Sequence, residues 1–324
     1  MSITSEQSTG PGSTRATTTA LANTSGHGSP AADKIFSGIS LVAGVLILVV
    51  LAAVAIFLVA MASDTFAADP TELTGGKGFA SYIWPLVVGT LIAATIALLL
   101  ATPVGIGVAL FISHYAPAKF AKPVGYVIDL LAAIPSVIFG AWGASVLAPH
   151  VVPFYNWLGK YFGFLPIFEG PASQTGKTIL TAGIVLAIMI LPIITAMCRE
   201  IFLQTPKLQE EAALGLGATR WEMIRMTVFP FARAGIISSV MLALGRALGE
   251  TMAVTLVLAG GPFNPSLIQS GNQTVASEIA LNFPEAYGIR MSELIAAGLV
   301  LFVITLLVNV LARFIVSRYN TGVE

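Results

Sequence analysis

The stretch ISLVAGVLILVVLAAVAIFLVAM, Ile39–Met61, carries no charged side chain from end to end. A helix rises about 1.5 Å per residue, so roughly 20 apolar residues cross the hydrocarbon of a bilayer. Five further stretches are long and apolar enough to do the same: Ile83–Ile112, Val124–Ala148, Thr178–Met197, Gly235–Ala259 and Glu293–Val316. The whole chain is 56% hydrophobic and 10% charged, whereas soluble domains carry about a quarter charged residues. An all-α integral membrane protein with six transmembrane helices is predicted. The second span contains Pro103, Gly105 and Gly107, which predict a kink or break there.

The remaining composition excludes several classes. Lys+Arg and Asp+Glu number 16 each, so there is no basic surplus for nucleic acid. One cysteine, Cys198, rules out an internal disulfide framework and CxxC-type metal sites. His27, His114 and His150 are far apart and lack ligand-like neighbours at helical spacing, so no metal centre is expected. Residues 1–33 are rich in Ser, Thr, Gly and Ala. That composition cannot offset its ordering entropy and reads as a disordered polar tail, with no apolar centre of a signal peptide. Residues 34–324 then form one six-helix domain.

Loop charges orient it. With the N-terminus cytoplasmic, the inner segments hold Arg15, Lys34, Lys119, Lys122, Arg199, Lys207, Arg220, Arg225, Arg233, Arg313 and Arg318. The outer segments hold only Lys77, Lys160, Lys177 and Arg290. The positive-inside rule therefore places both termini in the cytoplasm. Of the outer loops, Pro149–Lys177 and Gly260–Ser292 have room for a short helix each at the membrane surface.

The large inner loop, residues 199–234, is the most informative. Thr205 reads as an N-cap with Pro206 at the first helical position, starting a helix that stops at Gly215 or Gly217. Thr219-Arg220-Trp221-Glu222 fits a capping box that opens a second short helix, ending before Pro230. Leu208, Leu214, Leu216, Trp221 and Ile224 make the loop too apolar for a solvated turn, and docking into a partner is expected. Packing on the ends of its own spans is the alternative. Glu211-Ala212-Ala213, then Gly217, then Pro230 resembles the EAA loop of importer-type ABC permeases, with Thr227 and Phe229 where isoleucine and leucine are usual. In that family the loop is the coupling element seated on the ATPase subunit.

The fifth span holds Gly245-Arg246-Ala247-Leu248-Gly249-Glu250-Thr251-Met252. Charges at mid-membrane cost about 2.5–3.5 kcal/mol on insertion scales and usually mark a path or a site. Arg246 and Glu250 stand at i,i+4, so a continuous helix would put them on one face, able to pair, though in the less favourable order. Gly245 and Gly249 form a GxxxG pair that would admit another helix. Gly170–Thr178 superficially looks like a phosphate loop, but five residues lie between its glycines where the motif needs four, and no strand precedes it.

Gly245–Val254 resembles the corresponding helix of the C-type permease of the bacterial Pst phosphate importer. So do Thr102–Ala109, including Pro103 and Gly105; Ile134–Gly140, including Pro135 and Ser136; and Ala276–Phe283. The resemblance covers roughly residues 80–316. It implies a type I ABC importer permease (MetI-like) fold in the bacterial plasma membrane and a non-catalytic subunit without a nucleotide site. It implies four kinds of partner: a second permease, two copies of an ATPase that binds ATP and Mg, an external phosphate-binding protein, and inorganic phosphate as cargo. Arg246 and Glu250 correspond to the family's transport-critical pair. Phosphate near neutral pH keeps a P–OH donor that sulfate lacks, so Glu250 is expected to accept it while Arg246 meets the anion oxygens. Another oxyanion, or a secondary anion transporter, is the competing reading. Asp129 receives no role.

Overall fold

The computed structural model describes residues 30–320; the predicted tail lies outside them up to residue 29, and residues 30–33 already belong to the first helix. Contacts divide the chain after Ala53. The described part of the first unit is helical throughout, residues 30–53, with exposed apolar side chains such as Ile39, Leu46 and Val49. It begins α1, Pro30–Ala67.

The second unit is helical too, and among the described residues the one β-type contact is an isolated bridge between Gly260 and Gly271. Its helices are α2 Phe79–Leu110, α3 Ala118–Ala132, α4 Ser136–Trp142, α5 Ala148–Phe162, α6 Ile179–Leu203, α7 Lys207–Gly215, α8 Arg220–Met223, α9 Phe229–Leu248, α10 Met252–Val257, α11 Val275–Asn282 and α12 Ile289–Asn320. Three π turns interrupt the series, at Phe111–Tyr115, Gly143–Leu147 and Ile224–Val228. Among the described residues, six helices are long and apolar enough to cross a membrane: Lys34–Ala67, Phe79–Tyr115, Ser136–Phe162, Ile179–Leu203, Arg220–Leu248 and Ile289–Phe314.

The core forms where α2 meets α6. Ala93, Ala97, Ala101, Gly105 and Ala109 are all buried at four-residue spacing on α2, a stripe of small residues that lets helices approach closely in lipid. They pack against Ile190, Ile194 and their neighbours on α6. This stripe explains one departure from expectation: α2 runs unbroken through Pro103 to Leu110. Pro103 is on the exposed side while Ala101 and Gly105, flanking it, are clamped in the core, so the missing N–H does not divide the helix.

Two other spans break instead. The third was expected as one helix over Val124–Ala148, but Pro135 is extended (φ −56, ψ 133) and separates α3 from α4. A residue preceding proline is pushed out of the α region. The membrane-length helix is then Ser136–Phe162, so about the first half of the expected outer loop 149–177 continues this span as α5. The fifth, expected over Gly235–Ala259, begins at Arg220 and stops at Leu248. The second short helix of the inner loop therefore does not end before Pro230; it passes through the π turn into α9, and Pro230 follows that turn directly, where the α-helical ladder is already interrupted. In the loop 260–292, α11 appears as expected, but it is packed inside protein against α2, α10 and α12.

Candidate functional site

Gly249 caps α9, Glu250 and Thr251 leave the helix, and α10 starts at Met252. The predicted i,i+4 pair therefore does not form, and among the described residues Arg246 makes no ion pair. Glycine weakens the helix at 249, and the Glu250 side chain competes for backbone: its Oε1 accepts the Ala253 N–H at 3.2 Å. The two charges are complemented by helix ends rather than by each other. Arg246 is exposed in the last turn of α9, the negative end of that helix, whereas Glu250 is buried beside the first N–H groups of α10.

The other quoted segments build the surroundings. Gly140 of α4 lies on Ala253, and Gly143 in the following π turn faces Val185 and Val257. Gly105 of α2 faces Ile194, whose Cγ2 would stand 2.9 Å from an added Cβ. Pro103 and Pro135 are exposed, and Ser136 is half-buried at the start of α4. Gly245 has open space around it, and Gly249 meets only the carbonyl of Gly245. Among the described residues, no helix of this chain packs on the GxxxG pair. Val104, Ile138, Trp142 and Met252 add large exposed apolar surface on the same elements.

At the far end of the bundle, α7 carries Glu211 and Ala212 on its exposed side while Ala213 enters the core. Thr205 is not the cap: Pro206 takes that position, and the Thr205 hydroxyl is buried without a partner. Gly217 adopts φ +90, a conformation glycine tolerates and L side chains rarely do. The capping box forms as read, with the Thr219 N–H donating to Glu222 at 2.8 Å and the Glu222 N–H donating to Thr219 at 3.3 Å. Leu208 (79% exposed), Leu216 (90%) and Trp221 (54%) stand outward. Ile224 does not; it is buried in the core, because the helix holding it continues into the span.

Several polar contacts were not read from the sequence. Arg290 donates to Glu278 at 2.8 Å and to Glu293 at 2.7 Å, and lies over the Tyr82 ring. Tyr82 donates to Glu278, and Thr74 donates to Glu293 through both its N–H and its hydroxyl. This cluster ties α11 and α12 to the start of α2. The i,i+3 spacing of Arg290 and Glu293 at the head of an apolar span was the available signal. Asp129 pairs with Arg199 at 3.6 Å, and His114 with Glu210 at 3.6 Å.

Comparison with known proteins agrees with this architecture. Residues 101–321 match the family described as binding-protein-dependent transport system inner membrane component. The phosphate transport system permease protein PstC 2 of Mycobacterium tuberculosis is 42% identical over 303 residues, covering 90% of this chain and 93% of that protein. Among solved structures, a bacterial alginate ABC transporter in complex with an alginate-bound periplasmic protein aligns with TM-score 0.52 and 21% identity, over 88% of this chain and 96% of its own. The inward-facing MetNI methionine ABC transporter aligns with TM-score 0.50 and 16% identity, over 73% and 94%. The described helices therefore adopt the fold of ABC importer permeases in a multi-pass inner membrane protein. The chain belongs to the binding-protein-dependent inner membrane transport components and, within them, to the PstC permeases.

Proposed function

We propose that this chain is one half of the translocation pore of an ATP-driven importer of inorganic phosphate, with Arg246 as the cation that the passing anion meets. The observation that carries the reading is the break at Gly249–Thr251. Irregular backbone at membrane depth is tolerated where it is buried in protein or lines a water-filled cavity, and here an exposed arginine without a counter-charge stands one turn before it. Similarity to PstC permeases supports phosphate as cargo. Glu250, largely withdrawn from solvent and engaged with Ala253, acts first by fixing the break and the start of α10; its discrimination of phosphate from sulfate is secondary to that.

The exposed apolar surfaces around Val104, Ile138 and Met252 face a second permease subunit, which completes the pore. The segment 199–234 docks through Leu208, Leu216 and Trp221 onto one of two ATPase copies, which bind ATP and Mg; Glu211, Ala212, Gly217 and Pro230 belong to this coupling element, and no cofactor or catalytic step is assigned to this chain. A phosphate-binding protein delivers cargo from outside, in keeping with the family's binding-protein dependence. The excess of Lys and Arg in the inner segments supports a cytoplasmic position for both termini. The deciding experiment is labelled phosphate uptake by the complete importer with Arg246→Ala. Uptake at the unmodified rate would end this assignment.

A further inference from the structure

The coupling segment reaches two spans through the chain itself, α6 before it and α9 after it. It does not adjoin α2, the other long helix of the core, in sequence. We propose that Glu210 and His114 form that missing link, passing movement of α7 to the end of α2. This rests on the reading above that segment 199–234 docks on an ATPase.

Three features carry it. First, the contact is directed. Glu210 and Ala213, three apart, occupy the inward face of α7, and Ala213 is in the core while Leu208 and Leu216 stand outward. Glu210 approaches the His114 Nε2 to 3.6 Å, with side chains 21% and 9% exposed. The ring is held in that orientation because its Nδ1 lies 2.7 Å from the Ser113 hydroxyl, which is itself 3.2 Å from the Leu110 carbonyl.

Second, the histidine continues a row of edge-on aromatic contacts. His114 meets Phe202 at 6.4 Å, Phe202 meets Phe229 at 6.1 Å, and Phe229 meets Trp221 at 6.3 Å, all near perpendicular. The row joins the ends of α2 and α6 to the beginning of the fifth span, so a push at Trp221 or α7 has a packed path across the bundle. Third, His114 lies in the π turn Phe111–Tyr115, and α7 also touches the π turn Ile224–Val228. Such turns mark places where a helix changes register and are frequent at functional sites.

The test measures labelled phosphate uptake and ATP hydrolysis together in proteoliposomes of the complete importer. Glu210→Gln is close in shape, and His114→Ala removes the ring. Each is expected to lower phosphate imported per ATP hydrolysed by about fivefold, the low end of couplings between two sites, while chain level in the membrane is kept. The charge-exchanged pair His114→Glu with Glu210→Lys renews the charged contact without the ring and recovers part of the ratio. An unchanged ratio in both single variants overturns the link, as does a drop in uptake that merely follows loss of protein and is not rescued by the exchange. Leu208→Asp with Leu216→Asp serves as the separate control. If that variant leaves ATPase binding and uptake intact, the docking reading itself falls; if it uncouples the importer while the Glu210 and His114 variants do not, only the link falls.

Discussion

Gly140 and Ala253 touch through their backbones: a Cβ at position 140 would lie 2.5 Å from the Ala253 Cα and 3.0 Å from its carbonyl oxygen. The contact sets α10 against α4 immediately after the break that carries Glu250. Neither motif alone reveals it, since one reads as a helix start and the other as a charged turn.

Gly140→Ala is accordingly expected to destabilise the chain by about 1–3 kcal/mol, the usual cost of overpacking. Gly245→Ala, where nothing lies within 4 Å, has no such cost and, by removing a helical glycine, slightly stabilises the isolated chain. Thermal unfolding in detergent compares the two, and equal midpoints would contradict the close contact.

Glu250 serves as a backbone acceptor through Oε1. Glu250→Gln retains an oxygen for the Ala253 N–H and is expected to fold normally. Glu250→Ala loses it, at about 1 kcal/mol, as for other side chains that cap a helix start. If both variants unfold at the same midpoint, the bond to Ala253 does not hold the break.

Arg290 bridges two acidic side chains that are themselves almost fully enclosed, Glu278 and Glu293. Removing it leaves both without their cation, and breaking a buried pair costs about 3–5 kcal/mol. Arg290→Ala is expected to abolish stable accumulation in the membrane, measured by immunoblot. Arg290→Ala with Glu293→Gln, which removes one of the stranded charges, recovers part of the level.

Gly217 has open space where a side chain would go, so its requirement is conformational. Gly217→Ala is expected to cost about 1–2 kcal/mol locally and to uncouple ATP hydrolysis from uptake with the membrane level unchanged. Gly217→Asn, which tolerates positive φ better, retains more coupling. Paired assays of ATP hydrolysis and phosphate uptake read the difference.

The six crossings and the capping box at Thr219 were legible because each rests on a local pattern. The pairing of Arg246 with Glu250 was misread, because helical spacing applies only while the helix continues. Gly249 followed by an acceptor side chain three residues before Ala253 is a stop and a restart, a signal present in the sequence but outweighed by the apolar run around it. Pro103 misled in the opposite direction, since the buried stripe Ala93, Ala97, Ala101, Gly105 and Ala109 holds α2 together on its other side. The two residues that depart from the family loop pattern also find reasons in the structure. Thr227 donates to the Met223 carbonyl at 2.7 Å within the π turn, and Phe229 fills the aromatic row between Phe202 and Trp221. The Thr74–Glu293 and Tyr82–Glu278 contacts join residues about two hundred positions apart, and no short-range periodicity encodes such pairs.

The π turn at Ile224–Val228, where the Phe229 N–H reaches back five residues to Ile224, has one geometric consequence. It inserts a residue between the capped start at Thr219 and the end of α9, and each added residue rotates everything beyond it by about 100°. The compass bearing of Arg246 is thus set some twenty positions upstream, close to the start of the same helix. Were that turn to tighten into ordinary α-helix, the guanidinium would swing through more than a quarter of a circle while hardly changing its depth.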